Sequence, residues 1–217
     1  IREALANYMN EVFDLNTKSE NHSLVNGGML GIKLVCEILL EKDDEVVIVG
    51  PVWPNIRSSV ILRQAKIKEV NLKLKSKWEL DLNKLFSSIT DKTKMVFINS
   101  PSNPTGWMLT ESEQDHIMSF IRKKNCWLIA DEVYHQIVYD RAVSPSFLQF
   151  AKPNDKLIVI NSSSKSFNMT GWRIGYAAGP KDIIKAIGKI QSQSTSNPSS
   201  ISQAAAVEAL NGKQGFI

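Results

Sequence analysis

The chain has 217 residues, 43% of them hydrophobic, and 26 lysines and arginines against 22 acidic residues give a formal net charge of +4. That balance excludes disorder, collagen-like repeats and a disulfide scaffold, and it supplies ample apolar material for a packed core. With apolar runs no longer than those at 46–49 and 157–160 and no Lys/Arg block, neither a membrane nor a nucleic-acid partner is expected.

Cys36 and Cys126 lie far apart and lack a CxxC or His-rich neighbourhood. No metal site is expected from them, and two ordinary thiols fit a reducing, cytoplasmic setting.

The first element expected is a helix from Gly28 to Leu40, where Leu30, Leu34 and Ile38 recur at three- and four-residue spacing. Asn26-Gly27-Gly28-Met29 leads into it, and paired glycines there let backbone N–H groups approach an anion at the positive helix end. The segment lacks the GxGxxG spacing of a dinucleotide site, and helix-start glycines without ligands are common.

A strand is predicted from Glu45 to Gly50, followed by Pro51-Val52-Trp53-Pro54-Asn55. Trp53 either packs in the core or stacks on an aromatic ligand. A second strand spans Ile67 to Val70, a helix Asp81 to Ile89, and a third strand Met95 to Asn99. After the last comes Ser100-Pro101-Ser102-Asn103-Pro104-Thr105-Gly106, in which two prolines stiffen the backbone around the Asn103 amide, as a rigid turn or as a held donor.

Thr110 and Glu113 form a capping-box pattern that opens a helix running to about Lys124. The next strand, Trp127 to Ala130, is followed by Asp131-Glu132-Val133-Tyr134; in a helical turn, Asp131 and Tyr134 share a face and reach one flat ligand, or else they cap and pack.

Leu157 to Asn161 forms another strand, followed by Ser162-Ser163-Ser164-Lys165-Ser166-Phe167, with Arg173 eight residues beyond the lysine in Thr170-Gly171-Trp172-Arg173-Ile174-Gly175. A lysine among hydroxyls with an arginine in reach suits an anion, such as a phosphate, beside an amine able to form a Schiff base; the plainer reading is a polar loop with a surface lysine. A strand from Ile174 to Ala178, a helix from Lys181 to Ile190, a Pro/Ser-rich break over Ser192 to Ser202 and a helix from Ile201 to Leu210 complete the chain.

Alternating strands and helices predict an α/β fold with a mostly parallel central sheet flanked by helices, in three layers. Ligands in such sheets collect at the C-terminal strand ends, where most of these segments sit.

In this order, SerProSerAsnProThrGly, AlaAspGluValTyr and SerLys with GlyTrpArgIleGly resemble the large domain of the class I and II, fold-type I pyridoxal phosphate aminotransferases, over about residues 20 to 212. The resemblance implies a cofactor Schiff base on Lys165, with Asp131 at the pyridine nitrogen. It places Tyr134 and Asn103 at the ring oxygen, and Trp53 on the ring face. Ser162, Ser164, Arg173 and the Gly27-Gly28-Met29 segment are implied to hold the phosphate, and Trp53 and Asn103 also to face the substrate.

To act as nucleophile and base the lysine is expected to be buried beside Arg173. The reaction implied is amino transfer between an amino acid and a 2-oxo acid in a homodimer. A lyase or synthase on the same fold, or a non-catalytic cofactor-sensing module, are the alternatives. Residues 1–217 are expected to be an incomplete large domain, the small domain and its carboxylate-binding arginine lying outside the chain.

Overall fold

The structure, a computed structural model, describes residues 1–215 and 217. Nine strands and eight helices alternate along the described chain: α1 (Arg2–Phe13), β1 (His22–Val25), α2 (Gly28–Leu39), β2 (Glu45–Gly50), α3 (Asn55–Leu62), β3 (Lys66–Asn71), the short pair β4 (Lys73–Leu74) and β5 (Trp78–Glu79), and α4 (Leu82–Ser88). There follow β6 (Thr93–Asn99), α5 (Glu111–Lys124), β7 (Trp127–Asp131), β8 (Leu157–Ser162), the single turn α6 (Ser163–Ser166), β9 (Gly175–Ala178), α7 (Lys181–Ser194) and α8 (Ser200–Asn211).

Seven strands form one sheet in the order β1-β9-β8-β7-β6-β2-β3. The pairs from β3 through β8 are parallel, and β9 runs against both its neighbours. Strand periodicity then divides the core. Val47, Val49, Val96, Ile98, Leu128 and Val159 face one side, where they meet Ile117, Met118 and Ile121 of α5 and Leu85 of α4. Val46, Ile48, Met95, Phe97, Ile129 and Ile160 face the other and meet Leu34, Val35, Ile56, Ile184 and Ile187 of α2, α3 and α7. Burial on both faces explains the near-continuous apolar strands, and the result is the expected α/β fold with a mostly parallel sheet between helices.

The capping box forms as expected: the Thr110 N–H donates to Glu113 Oε2 at 2.8 Å and the Glu113 N–H to Thr110 Oγ1 at 3.3 Å. Asp81 caps α4 by accepting from the Lys84 N–H at 3.0 Å.

Besides the short β4, β5 and α6, three elements escaped the sequence reading. No element was expected before Gly28, yet α1 buries Leu5, Tyr8, Met9 and Phe13 against Phe167, Ile174, Tyr176 and α8. The four-residue β1 is too short to show a period, and it is fixed by pairing with β9 from His22↔Ala178 to Val25↔Gly175. The helix α3 has no side-chain cap and follows two prolines, so its start carries no sequence signal. In the other direction α7 runs four residues past Ile190, into the stretch read as a break.

Candidate active site

The parallel strands β6, β7 and β8 end side by side, and the segments that follow them enclose a cavity of about 400 Å³. Its lining includes Gly28, Met29, Trp53, Asn103, Asp131, Tyr134, Ser162, Ser164, Lys165 and Arg173, and also Ile32, Asn99, Val133 and Thr170. Thus residues from five separate stretches, more than 140 positions apart at the extremes, converge on one place because the strand order brings their ends together.

Asp131 is the last residue of β7, and 133–136 form a turn, so a strand end rather than the expected helical turn brings it and Tyr134 to the same cavity. Its backbone is pinned from the neighbouring strand: the Asp131 carbonyl accepts from Asn99 Nδ2 at 3.0 Å and from the Ser100 N–H at 3.1 Å. Among the described residues its carboxylate accepts only the Val133 N–H, at 3.3 Å, and has no cationic partner. Burial without a partner pushes its pKa up to about 7, the Val133 N–H opposing.

Asn103 is held at three points. Its N–H donates to Asn99 Oδ1 at 2.8 Å, its carbonyl accepts from the Trp53 N–H at 3.0 Å, and its Nδ2 donates to Tyr134 Oη at 3.2 Å. The segment is stiff, and it also fixes a donor at the cavity. Trp53 is 52% exposed, so it is not a core tryptophan.

On the opposite wall, Ser162 Oγ caps α6 by accepting from the Ser164 N–H at 3.1 Å, and is hydrogen-bonded to Ser164 Oγ at 2.9 Å and the Ile174 carbonyl at 2.7 Å. Lys165 Nζ lies 5.6 Å from the Tyr134 ring centroid. Lys165 and Arg173 are both exposed, which corrects the expectation of a lysine buried beside the arginine. The reason is local: both belong to short, tight turns, α6 and the left-handed residue Arg173 at φ 55°, which aim long side chains out of the backbone into the open cavity.

Arg173 donates to the Thr170 carbonyl at 2.8 Å and packs against Gly27, where a Cβ would lie 2.7 Å from the guanidinium carbon. Gly27 therefore backs the arginine instead of lining the cavity. At φ +80° it also sets the entry to α2, whose first N–H groups have no intrahelical acceptor.

Two features went unread in the sequence. Asn99, the final residue of a strand, organises both Asp131 and Asn103, and only its position at a strand end hinted at this. Gly175 lies so close to the Gly27 and Gly28 backbone that a Cβ would stand 3.0 Å from Gly27 Cα and nearer still to the Gly28 nitrogen. No helix is long and apolar enough to cross a membrane, and no cluster of three or more His, Cys, Asp or Glu is placed to hold a metal, both among the described residues.

Comparison with known proteins places the chain among aminotransferases. A probable aspartate/prephenate aminotransferase of Rickettsia prowazekii is 39% identical over the whole chain, which covers 55% of that protein. An aspartate aminotransferase of Rhizobium meliloti is 41% identical over 82% of the chain and 44% of its own length. The chain spans about half the length of the curated relatives it matches. Among solved structures, an aspartate aminotransferase from Thermus thermophilus with maleate superposes with a TM-score of 0.92 at 32% identity, over 97% of this chain and 54% of that one. An aromatic aminotransferase from Pyrococcus horikoshii gives 0.93 at 30% identity, over 99% and 58%. The family model of the class I and II aminotransferases matches residues 1–217, and the chain belongs to that pyridoxal phosphate-dependent family.

Proposed function

We propose that the protein of which these residues form a part is an amino-acid aminotransferase, exchanging an amino group between an amino acid and a 2-oxo acid. The observation that carries the reading is the convergence of Lys165, Asp131, Tyr134, Asn103 and Arg173 on one cavity, with the α2 N-terminus beside them.

The donor set fits pyridoxal phosphate. A desolvated carboxylate without a cation, Asp131, suits a protonated ring nitrogen, and that partner would offset its burial. Arg173, the hydroxyls of Ser162 and Ser164 and the Gly28 and Met29 N–H groups form a cationic, donor-rich wall for the phosphate, with Gly27 making room for the guanidinium. Tyr134 and Asn103 would offer donors to the ring oxygen, and the exposed face of Trp53 would flank the ring.

When bound, the cofactor supplies a carbonyl that captures amines and a conjugated ring that accepts electrons. Lys165 would hold the cofactor through Nζ, and as a free amine would hold and move a proton at that atom. Asp131 would keep the ring nitrogen charged, and Tyr134, held by Asn103 Nδ2 at 3.2 Å, would fix the orientation. Trp53 and Asn103, which line the same cavity, would face the incoming amino acid.

The finer readings rest on the family and on these same residues. The 217 residues are taken as most of the cofactor-binding large domain, with a small domain from segments outside them. The partner is taken as a second copy of the chain, for which the 44% exposed Trp172 and the Ser196-Asn197-Pro198 region are the candidate contacts. A cytoplasmic location is proposed from the free, buried thiols of Cys36 and Cys126.

The decisive test adds pyridoxal phosphate to the purified chain, reduces with borohydride and maps the modified peptide. Modification at Lys165 that Lys165→Ala abolishes is the expected outcome; a folded chain modified elsewhere, or not at all, would overturn the assignment. Product analysis with an amino acid and 2-oxoglutarate on the full-length enzyme then separates transfer, which yields glutamate, from elimination, which yields ammonia.

A further inference from the structure

Behind the cavity lies a buried polar chain that none of these roles uses. While Tyr134 faces the cavity, its neighbour His135 is fully buried on the other side, between α1 and β8. Tyr8 Oη lies 2.8 Å from His135 Nε2, and Asn161 Nδ2 lies 3.1 Å from His135 Nδ1. Phe13 and Tyr8 pack on the ring at centroid distances of 5.9 and 6.1 Å. The backbone on either side is tied as well, the His135 N–H donating to the Glu132 carbonyl at 3.0 Å and its carbonyl accepting from the Ser144 N–H at 2.8 Å.

The hydrogen-bond chemistry selects one ring tautomer. Asn161 Oδ1 accepts the Ser162 N–H at 2.7 Å, so the amide's other end, which has only hydrogens to offer, faces His135 Nδ1. Nδ1 must therefore carry the lone pair, and the ring hydrogen sits on Nε2, donating to Tyr8 Oη. A doubly protonated ring would set an N–H against the amide N–H₂. Burial, which pushes the His135 pKa down to about 4, acts in the same direction and keeps the ring neutral.

One imidazole thus satisfies two buried polar groups on different elements. Through Asn161 it reaches the Ser162 N–H, at the start of the turn that carries Ser162, Ser164 and Lys165. Resting on the reading of the cavity as a cofactor site, we propose that His135, held as its Nε2–H tautomer, is a positioning residue that fixes the turn bearing Tyr134 relative to the strand end bearing Ser162. It thereby sets the spacing between the ring-binding and phosphate-binding walls. An apolar residue there would strand both Asn161 Nδ2 and Tyr8 Oη.

The test pairs a ring measurement with a binding series on the full 217-residue chain. With only three histidines in the sequence, long-range ¹⁵N spectra resolve each ring, and loss of one signal set in His135→Asn assigns it. A neutral Nε2–H ring is expected between pH 6 and 8, and an Nδ1–H ring would overturn the inference.

In pyridoxal phosphate titrations, His135→Leu is expected to weaken binding about tenfold. His135→Asn, whose Oδ1 replaces the Nδ1 acceptor, should recover to within about threefold of the native chain, whereas His135→Gln, which keeps only the Tyr8 side, should resemble Leu. Thermal melts identify any variant that fails to fold, and the Asn and Gln pair, each keeping one bond, then decides. Folded Leu or Gln variants that bind as tightly as the native chain, or an Asn variant as weak as Leu, would overturn the proposal. A native chain that does not bind pyridoxal phosphate at Lys165 would overturn the cavity reading instead, with the ring spectrum still deciding the tautomer.

Discussion

At the N-terminal ends of β2, β3 and β6, charged side chains meet one another: Lys66 lies 2.9 Å from Asp43, Lys68 2.6 Å from Glu45, and Lys124 2.9 Å from Asp91. At the C-terminal ends of the same sheet, Asp131, Lys165 and Arg173 line one cavity, and among the described residues none of the three has an ion-pair partner. Paired charges on an exposed rim solvate a surface and contribute little. Unpaired charges converging on a cavity, one of them desolvated, cost stability and are complementary to something else, which is how the site can be located before any ligand is named.

The strongest way to break this contrast is Asp131→Asn. If the carboxylate exists to meet a cationic ring nitrogen, its loss should weaken pyridoxal phosphate binding on the order of 100-fold, read by titration. Unchanged affinity would remove Asp131 from the site. The ligand-free chain should respond in the opposite sense. A folded-state pKa raised from 3.8 to about 7 gives a relative stability that is full below pH 3.8 and lost as pH rises through 7. Asp131→Asn should therefore gain stability over the native chain as pH rises from 4 to 8, by at most about 4 kcal/mol. Denaturant melts at the two pH values check the sign, and a gain that grows toward low pH would contradict it.

A smaller effect is expected from Gly175→Ala, which sharpens the comparison on the backbone side. The new methyl would collide with the Gly27 and Gly28 backbone, neither of which is a flexible side-chain end that can move aside. Forced separation should cost about 1–3 kcal/mol in denaturant melts. It should also displace the α2 N-terminus from Arg173 and so weaken phosphate binding together with stability. Loss of stability alone would mean that the glycine serves packing only.

Much of this was legible in the chain because parallel strands buried on both faces write themselves as apolar runs such as Glu45–Gly50 and Leu157–Ser162. The site segments were legible because they follow those strands directly. What was hidden depends on distant partners. β1 exists through its pairing with β9, and Asn99 matters through Asp131 and Asn103, which no local spacing encodes. The exposure of Lys165 was misjudged for a related reason: sequence shows that hydroxyls and an arginine are near, but only the turn α6 decides where the long side chain points.

The smallest expected effect tests the other end of the sheet. Lys66 and Asp43 form a 2.9 Å pair whose side chains are 65% and 60% exposed. Water screens such a pair almost as well as it solvates the separate ions, and ordering a long lysine offsets much of what remains. Lys66→Ala is therefore expected to leave the melting temperature within about 1 °C and pyridoxal phosphate affinity unchanged. A fall of several degrees would show that the rim pairs hold β2 and β3 in register. The contrast between a merely solvated end of the sheet and a functional one would then fail from the side that looks inert.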